Sequence, residues 1–354
     1  MKIVNIILTS QNGGAEQAFL DYSSALKNLG HEVVAILKTD APYADEVRKL
    51  GITVKKTDNK FGYYDFFAVK NIQKILEEEK ADIAISHIGR ATVLTRKAIK
   101  KIKGKKVFQI AVNHSGNVKR SVGADIVLSV NKRIFFDTVE SGQSEERSFV
   151  IPNAIDLSDA LEAVPKASLQ TKEKIVIGTI GRLDRSKGFD YAIKALKNLE
   201  KISDKNFVLK IAGDGYYEAV LRDLVKQLGL ENKVEFLGWI KNKKEFFDSI
   251  DIFCLPSKNE PFGIVILEAM KFSKPIISTD ADGPLEILTN EFDSLMVDLS
   301  PQNNTEERIA KAVVRIVNEP ELMNKMVSNA SQKLRDKFSY KALEKRLAEI
   351  VGKV

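Results

Sequence analysis

The chain has 354 residues, 44% of them hydrophobic and 29% charged, with 20 glycines and 9 prolines; this is the composition of a soluble protein long enough to build two cores. Its one cysteine, Cys254, excludes an internal disulfide framework and a cysteine-based zinc site and suits a reducing compartment, and no apolar run approaches the ~20 residues that span a bilayer. The net charge of +7 belongs to one half, because residues 1–153 hold 24 basic and 17 acidic side chains while residues 154–354 hold 31 of each.

The chain opens on a short β-branched strand, residues 2–8, too brief for the apolar region of a signal peptide. Gly13 and Gly14 then make a turn into a helix over residues 15–29, where Ala18, Leu20, Ala25, Leu26 and Leu29 recur at helical spacing before Gly30. Strand patterns follow at residues 32–37, 82–86, 106–112 and 124–130, with helical segments between several of them. Such alternation predicts a parallel sheet wrapped by helices. Residues 156–174 break the rhythm and read as a linker. The alternation restarts with strands at 174–180, 207–212, 234–237, 251–255 and 275–278 and helices at 189–200 and 218–228. Two doubly wound α/β domains follow, and in such sheets the loops after strands carry the chemistry.

The segment from Pro256 to Met270 is the most informative. It follows a strand, turns at Gly263 and enters an apolar run broken by one carboxylate, Glu268. A helix over residues 264–272 would be buried, and a buried carboxylate needs donors, for which two ribose hydroxyls are suited. The helix N-terminus behind Gly263 would suit a phosphate, with Glu260 beside it facing open space. The plainer alternative makes Glu260 and Glu268 surface or ion-paired carboxylates and residues 264–267 a strand.

After the strand at 174–180, Arg182 and Lys187 lie between Gly181 and Gly188, where both can converge on one diphosphate. The Gly213-Asp214-Gly215 turn and His31 read as structural. His87 and His114 both end strands, and residue physics ranks neither as a site residue. There is no G-x-x-x-x-G-K-[ST] loop, no G-x-G-x-x-G after the first strand, no H-E-x-x-H and no G-x-S-x-G. Asp280 and Asp282 precede Gly283-Pro284 and read as a loop, and no metal is expected.

Together, Gly13 to Gln17, Ile151 to Asp156, Gly181-Arg182 with Lys187-Gly188, Gly213 to Gly215, and Glu260 with Glu268 as E-x7-E around Pro-Phe-Gly resemble the retaining glycosyltransferases of family 4. The resemblance covers almost the full length and is strongest in the C-terminal half. It implies the GT-B fold: two Rossmann-like domains facing a central cleft, residues 1–157 with 340–354 for the acceptor and 158–339 for the donor, the final helix crossing back to the first domain. It further implies that Arg182, Lys187 and the backbone of Phe262, Gly263 and Ile264 hold the donor diphosphate, with Gly14 close to it. Glu268 would take the ribose, the backbone at Trp239 and Ile240 the base, Glu260 the donor sugar, and His114 the sugar near its reacting centre.

The expected activity is retaining, metal-independent transfer of a hexose or N-acetylhexosamine from a nucleotide-diphosphate sugar, with UDP the favoured nucleotide, to a cell-envelope saccharide or lipid-linked acceptor. No cofactor is expected beyond that substrate, and no nucleic acid. The alternatives are a sugar-nucleotide epimerase or phosphorylase of the same fold, or a non-catalytic nucleotide-sugar-binding subunit. Lys55, Lys56 and Lys60 precede the aromatics Phe61, Tyr63, Tyr64, Phe66 and Phe67, and further lysines cluster at 97–106. The expected location is cytoplasmic, with peripheral docking of this half on an anionic membrane; the alternative is a solvated lysine-rich helix beside a buried aromatic loop.

Overall fold

The apolar runs fold as buried parallel strands in the computed structural model, which describes residues 1–11, 13–158, 168–299 and 304–354. The chain divides into two units, Met1–Ile155 with Phe338–Val354, and Asp156–Lys337. The expected linker at 156–174 lies in part outside the described residues.

The first unit runs β1 (Lys2–Ile7), α1 (Gly14–Asn28), β2 (Glu32–Leu37), α2 (Ala44–Lys49), β3 (Thr53–Lys56), α3 (Phe66–Glu78), β4 (Ile83–His87), α4 (Ile88–Ile99), β5 (Phe108–Asn113), β6 (Ile126–Ser129), α5 (Lys132–Glu140) and β7 (Ser148–Val150). Its seven strands lie in the order β3-β2-β1-β4-β5-β6-β7, all parallel. Both faces are covered, which is why β4 is buried throughout and its sequence is apolar rather than alternating. Ile72 and Leu76 of α3 pack with Leu94 and Ala98 of α4 on one side, and Tyr22 and Leu26 of α1 pack on the other with Leu343 and Leu347. Those leucines belong to the final helix, Tyr340–Val351, which returns to this unit as the resemblance implied. Its Tyr340 hydroxyl donates to Asp21 at 2.6 Å.

The second unit contains β8 (Lys174–Ile180), α6 (Phe189–Ile202), β9 (Asn206–Ala212), α7 (Glu218–Gln227), β10 (Val234–Gly238), α8 (Lys243–Asp248), β11 (Ile252–Leu255), α9 (Ile264–Lys271), β12 (Ile276–Thr279), α10 (Asp282–Ile287), β13 (Leu295–Val297), α11 (Thr305–Asn318) and α12 (Pro320–Lys337). Its strand order is β10-β9-β8-β11-β12-β13, again parallel. In both units the order reverses beside the first strand, between β1 and β4 and between β8 and β11. That reversal opens a crevice at the carboxyl ends of those strands.

Three strands lay outside the sequence reading: β3, β7 and β13. All three stand at sheet edges: in β3 the half-buried Lys55 and exposed Lys56 leave no continuous apolar run, and β7 and β13 are only three residues long. Asp282 corrects another expectation, since it opens α10 rather than lying in a loop. Pro284 is tolerated there because its missing N–H falls in the first helical turn. The aromatic run at 61–67 is not a buried loop: Phe61, Tyr64, Phe66 and Phe67 are exposed.

Candidate functional site

In the second unit the loops after β8 and β11 are stitched together by backbone. The Asp184 carboxylate accepts from Ser186 N–H at 2.8 Å and shapes a single helical turn, Arg185–Lys187. The Ser186 carbonyl then accepts from the N–H groups of Lys258 and Asn259 at 2.7 and 3.1 Å. Gly188 makes this approach possible: it sits at φ 64°, and a Cβ there would fall 1.9 Å from the Pro256 carbonyl oxygen. We expect Gly188→Ala to destabilise the fold by at least ~1–3 kcal/mol from the backbone conformation alone, read as a lower urea midpoint. An unchanged midpoint would show that the two loops are not held as described.

The stitching brings Lys187 Nζ to 2.7 Å from Glu260 Oε2. Glu260 is only 8% exposed, a departure from the open position expected of it. Its burial follows from the Lys187 pair and from Gly283, whose N–H donates to the Glu260 carbonyl at 2.8 Å. Gly283 is also a close-approach position, since a Cβ would lie 2.5 Å from that oxygen. Arg182 is exposed, and its guanidinium makes no hydrogen bond or ion pair among the described residues.

Residues 264–271 are helical as the apolar pattern predicts, and not a strand. Phe262 is buried, Gly263 stands at the N-cap without a side-chain cap bond, and Ile266 N–H already turns back to the Gly263 carbonyl. The N–H groups ahead of Ile266 fall in the first turn of α9, where a helix leaves donors without intrahelical partners. Glu268 is 6% exposed. One of its oxygens takes Lys243 Nζ at 2.5 Å, and its Oε2 is buried without a hydrogen-bond partner. Burial raises its pKa above the ordinary carboxylate value, opposed by Lys243. Lys243 escaped the sequence reading, as one of three lysines in a polar stretch. It follows Trp239 and Ile240, so this stretch runs from the end of β10 into α8, which Lys243 opens; Trp239 is exposed and Ile240 partly buried.

In the first unit the loops after β1, β2, β4 and β5 line a pocket of about 540 Å³, which includes Ser10, Lys38, Arg90 and His114. Gly14 opens α1 and is exposed, outside that lining. Ile88, also in the lining, has φ 61°, a strained conformation for a β-branched residue and of the kind found at functional sites. The two strand-end histidines meet: His87 Nδ1 lies 2.9 Å from His114 Nε2. His87 is wholly buried, edge-on to Phe19 and Tyr22. The other ring nitrogens, His87 Nε2 and His114 Nδ1, are buried without a hydrogen-bond partner among the described residues. Burial holds His87 well below the ordinary histidine value, with His114 adding to it, and pushes His114 down to about 4.

Both rings are therefore neutral at pH 7. An unfolded histidine binds its proton near pH 6.5 while the folded pair refuses it, so stability is full above that pH and is lost as pH falls toward 4. We expect up to ~1.4 kcal/mol lost per pH unit per histidine, seen as a falling unfolding temperature, with a shallower slope in His87→Asn.

Among the described residues no group of three or more His, Cys, Asp or Glu side chains is arranged to hold a metal ion, and Asp280 accepts a backbone bond from Leu299.

Both halves of the chain match families of known proteins. Residues 162–333 match the family model "Glycosyl transferases group 1", and residues 12–159 match "Glycosyltransferase Family 4". The chain is 26% identical to the lipopolysaccharide core biosynthesis glycosyltransferase LpsD of Rhizobium meliloti over 348 residues, 97% of this chain and 96% of the relative. It is 28% identical to an α-1,4-N-acetyl-D-galactosaminyltransferase of Campylobacter jejuni, named for an acceptor on diphosphate-linked undecaprenol, over 100% of this chain and 99% of that one. The crystal structure of HepE from Anabaena with UDP and glucose matches the fold with a TM-score of 0.84 at 20% identity, covering 100% of both chains.

Proposed function

Since the chain belongs to the family 4 glycosyltransferases, enzymes of the GT-B fold, we propose that it moves a hexose or N-acetylhexosamine with retention from a UDP-sugar to a cell-envelope saccharide or lipid-linked acceptor. The observation that carries this reading is the charge arrangement at the strand-order reversal of the second unit. There an Arg182 without a partner among the described residues, the Lys187–Glu260 pair and Glu268, with one oxygen likewise unpartnered, are gathered on or beside the loops after β8 and β11. HepE is described with UDP and glucose, and the C. jejuni relative with a lipid diphosphate acceptor; both support the donor and acceptor classes proposed.

In this reading Lys187 exchanges Glu260 for the donor diphosphate, and Glu260 is freed to accept from the sugar hydroxyls. Arg182 and the first N–H groups of α9 take the other phosphate oxygens. The negative charge that develops on the departing diphosphate is met by cations and dipoles already in place, which is where electrostatic catalysis gains most. Glu268 Oε2, lacking a partner, accepts a ribose hydroxyl. The acceptor hydroxyl attacks the anomeric carbon on the leaving-group face, the glycosidic bond to the diphosphate breaks, and a donor phosphate oxygen takes the proton.

The test is mass spectrometry of products from a panel of UDP-, GDP- and ADP-sugars offered with lipid-linked and free saccharide acceptors in EDTA, with NMR of the anomeric configuration. We expect one UDP-sugar to react with its configuration retained. Inversion, or strict dependence on a divalent ion, would contradict the mechanism; transfer from none of the donors would contradict the function.

A further inference from the structure

Twelve large hydrophobic side chains of the described residues are exposed, and four of them, Phe61, Tyr64, Phe66 and Phe67, fall within seven consecutive residues at 58–85% exposure. Exposed aromatics in such a group are uncommon on a soluble protein that meets only water. Nor has this turn failed to collapse for want of structure. The buried Asp65 carboxylate accepts from Ala68 N–H at 2.9 Å, capping α3, and from Phe61 N–H at 3.0 Å. Lys97 Nζ fastens the Tyr63 carbonyl at 2.9 Å. The turn is tied down by these bonds and leaves its rings exposed.

The cations stacked on the exposed rings are lysines, while Arg120 covers the partly buried Tyr63 at 4.3 Å. Lys97 Nζ stands 4.9 Å from the Tyr64 ring centroid and Lys101 Nζ 4.4 Å from that of Phe66; Lys70 and Lys74 border a groove next to Phe67. The one acid within the turn is the capping Asp65, turned inward. Aromatic rings with arginine would suit a protein partner, but lysine is depleted at protein interfaces. Aromatic rings with flexible lysines suit the headgroup region of an anionic bilayer, where rings sink to the acyl boundary and ammonium groups stay with the phosphates.

We propose that the 61–67 turn is a membrane-docking wedge that seats the first unit on an anionic lipid surface, with Tyr64, Phe66 and Phe67 entering the headgroup layer and Lys97 and Lys101 holding lipid phosphates. Tyr63, within the same turn, lines the same pocket as His114 and Arg90. Docking therefore opens that pocket at the bilayer, and its acceptor is lipid-linked rather than free. This last step rests on the glycosyltransferase reading; the docking does not.

The test is flotation of the full chain with vesicles of phosphatidylcholine alone or mixed with phosphatidylglycerol, alongside UDP titration of the same samples. Wild type should float with the mixed vesicles and not with phosphatidylcholine. The triple variant Tyr64→Ser, Phe66→Ser, Phe67→Ser should lose binding at least tenfold, and Lys97→Gln with Lys101→Gln should lose it as salt is raised; unfolding temperature and UDP affinity should not change in either. Equal flotation with both vesicle types, no flotation of wild type, or undiminished flotation of the triple variant would overturn the proposal. Flotation without UDP binding would leave docking intact and count against the donor site instead.

Discussion

Lys187→Ala should cut turnover by roughly 10²–10³, the usual consequence of removing one preorganised charge at a developing anion, and should also weaken the fold. The second effect follows from the pairing with Glu260, whose side chain is 10% exposed against 23% for Lys187. Breaking a buried pair from one side strands the other charge and costs ~3–5 kcal/mol; because this pair is partly wetted, ~1–3 kcal/mol is the fitting range here. The double variant Lys187→Ala, Glu260→Gln separates the two effects. It should regain most of the urea midpoint while turnover stays low. Recovery of turnover with stability would mean that Lys187 serves only to hold Glu260 in place.

Glu268→Gln should do the opposite to stability. The folded state raises the Glu268 pKa through burial, so this group's contribution to stability is complete below the ordinary glutamate value and is lost as pH rises through the raised value. At neutral pH its ionised form is a cost. Glutamine removes that cost and keeps an oxygen for Lys243, which is half exposed and readily solvated. The variant should therefore unfold at the same or a higher temperature at pH 7. It should also bind UDP at least tenfold more weakly, because a hydrogen bond to a charged acceptor contributes ~1.5–3 kcal/mol. A variant that loses stability and keeps its UDP affinity would place Glu268 in the packing of α9 rather than in a ribose contact.

The sequence was most informative where one local rule decided the outcome. Strands buried on both faces read as apolar runs, and Glu268, an isolated carboxylate in the apolar run that forms helix α9, announced a buried group needing donors before its surroundings were known. What stayed hidden were relations across long separations. Lys187 and Glu260 are 73 residues apart, and nothing local says that the two charges expected on a ligand would hold each other without one. Lys243 meets Glu268 across 25 residues from a stretch that reads as solvated lysines. The histidine pair was within reach: β4 and β5 are neighbours, with His87 opposite Val112, so pairing those strands puts His87 beside residue 114. Of the edge strands, β3 lacked the burial that makes a strand legible, and β7 and β13 are only three residues long.

The claim at the centre of this account is that the second unit holds a nucleotide diphosphate through Arg182, the exposed guanidinium with no partner of its own among the described residues. Calorimetric titration of UDP, GDP and ADP into the wild type and Arg182→Ala tests it most directly. The account predicts that UDP binds best and that the variant binds it ~10–100-fold more weakly, the loss of one charged hydrogen-bond pair, with the fold unchanged. Equal UDP affinity in wild type and variant would contradict it.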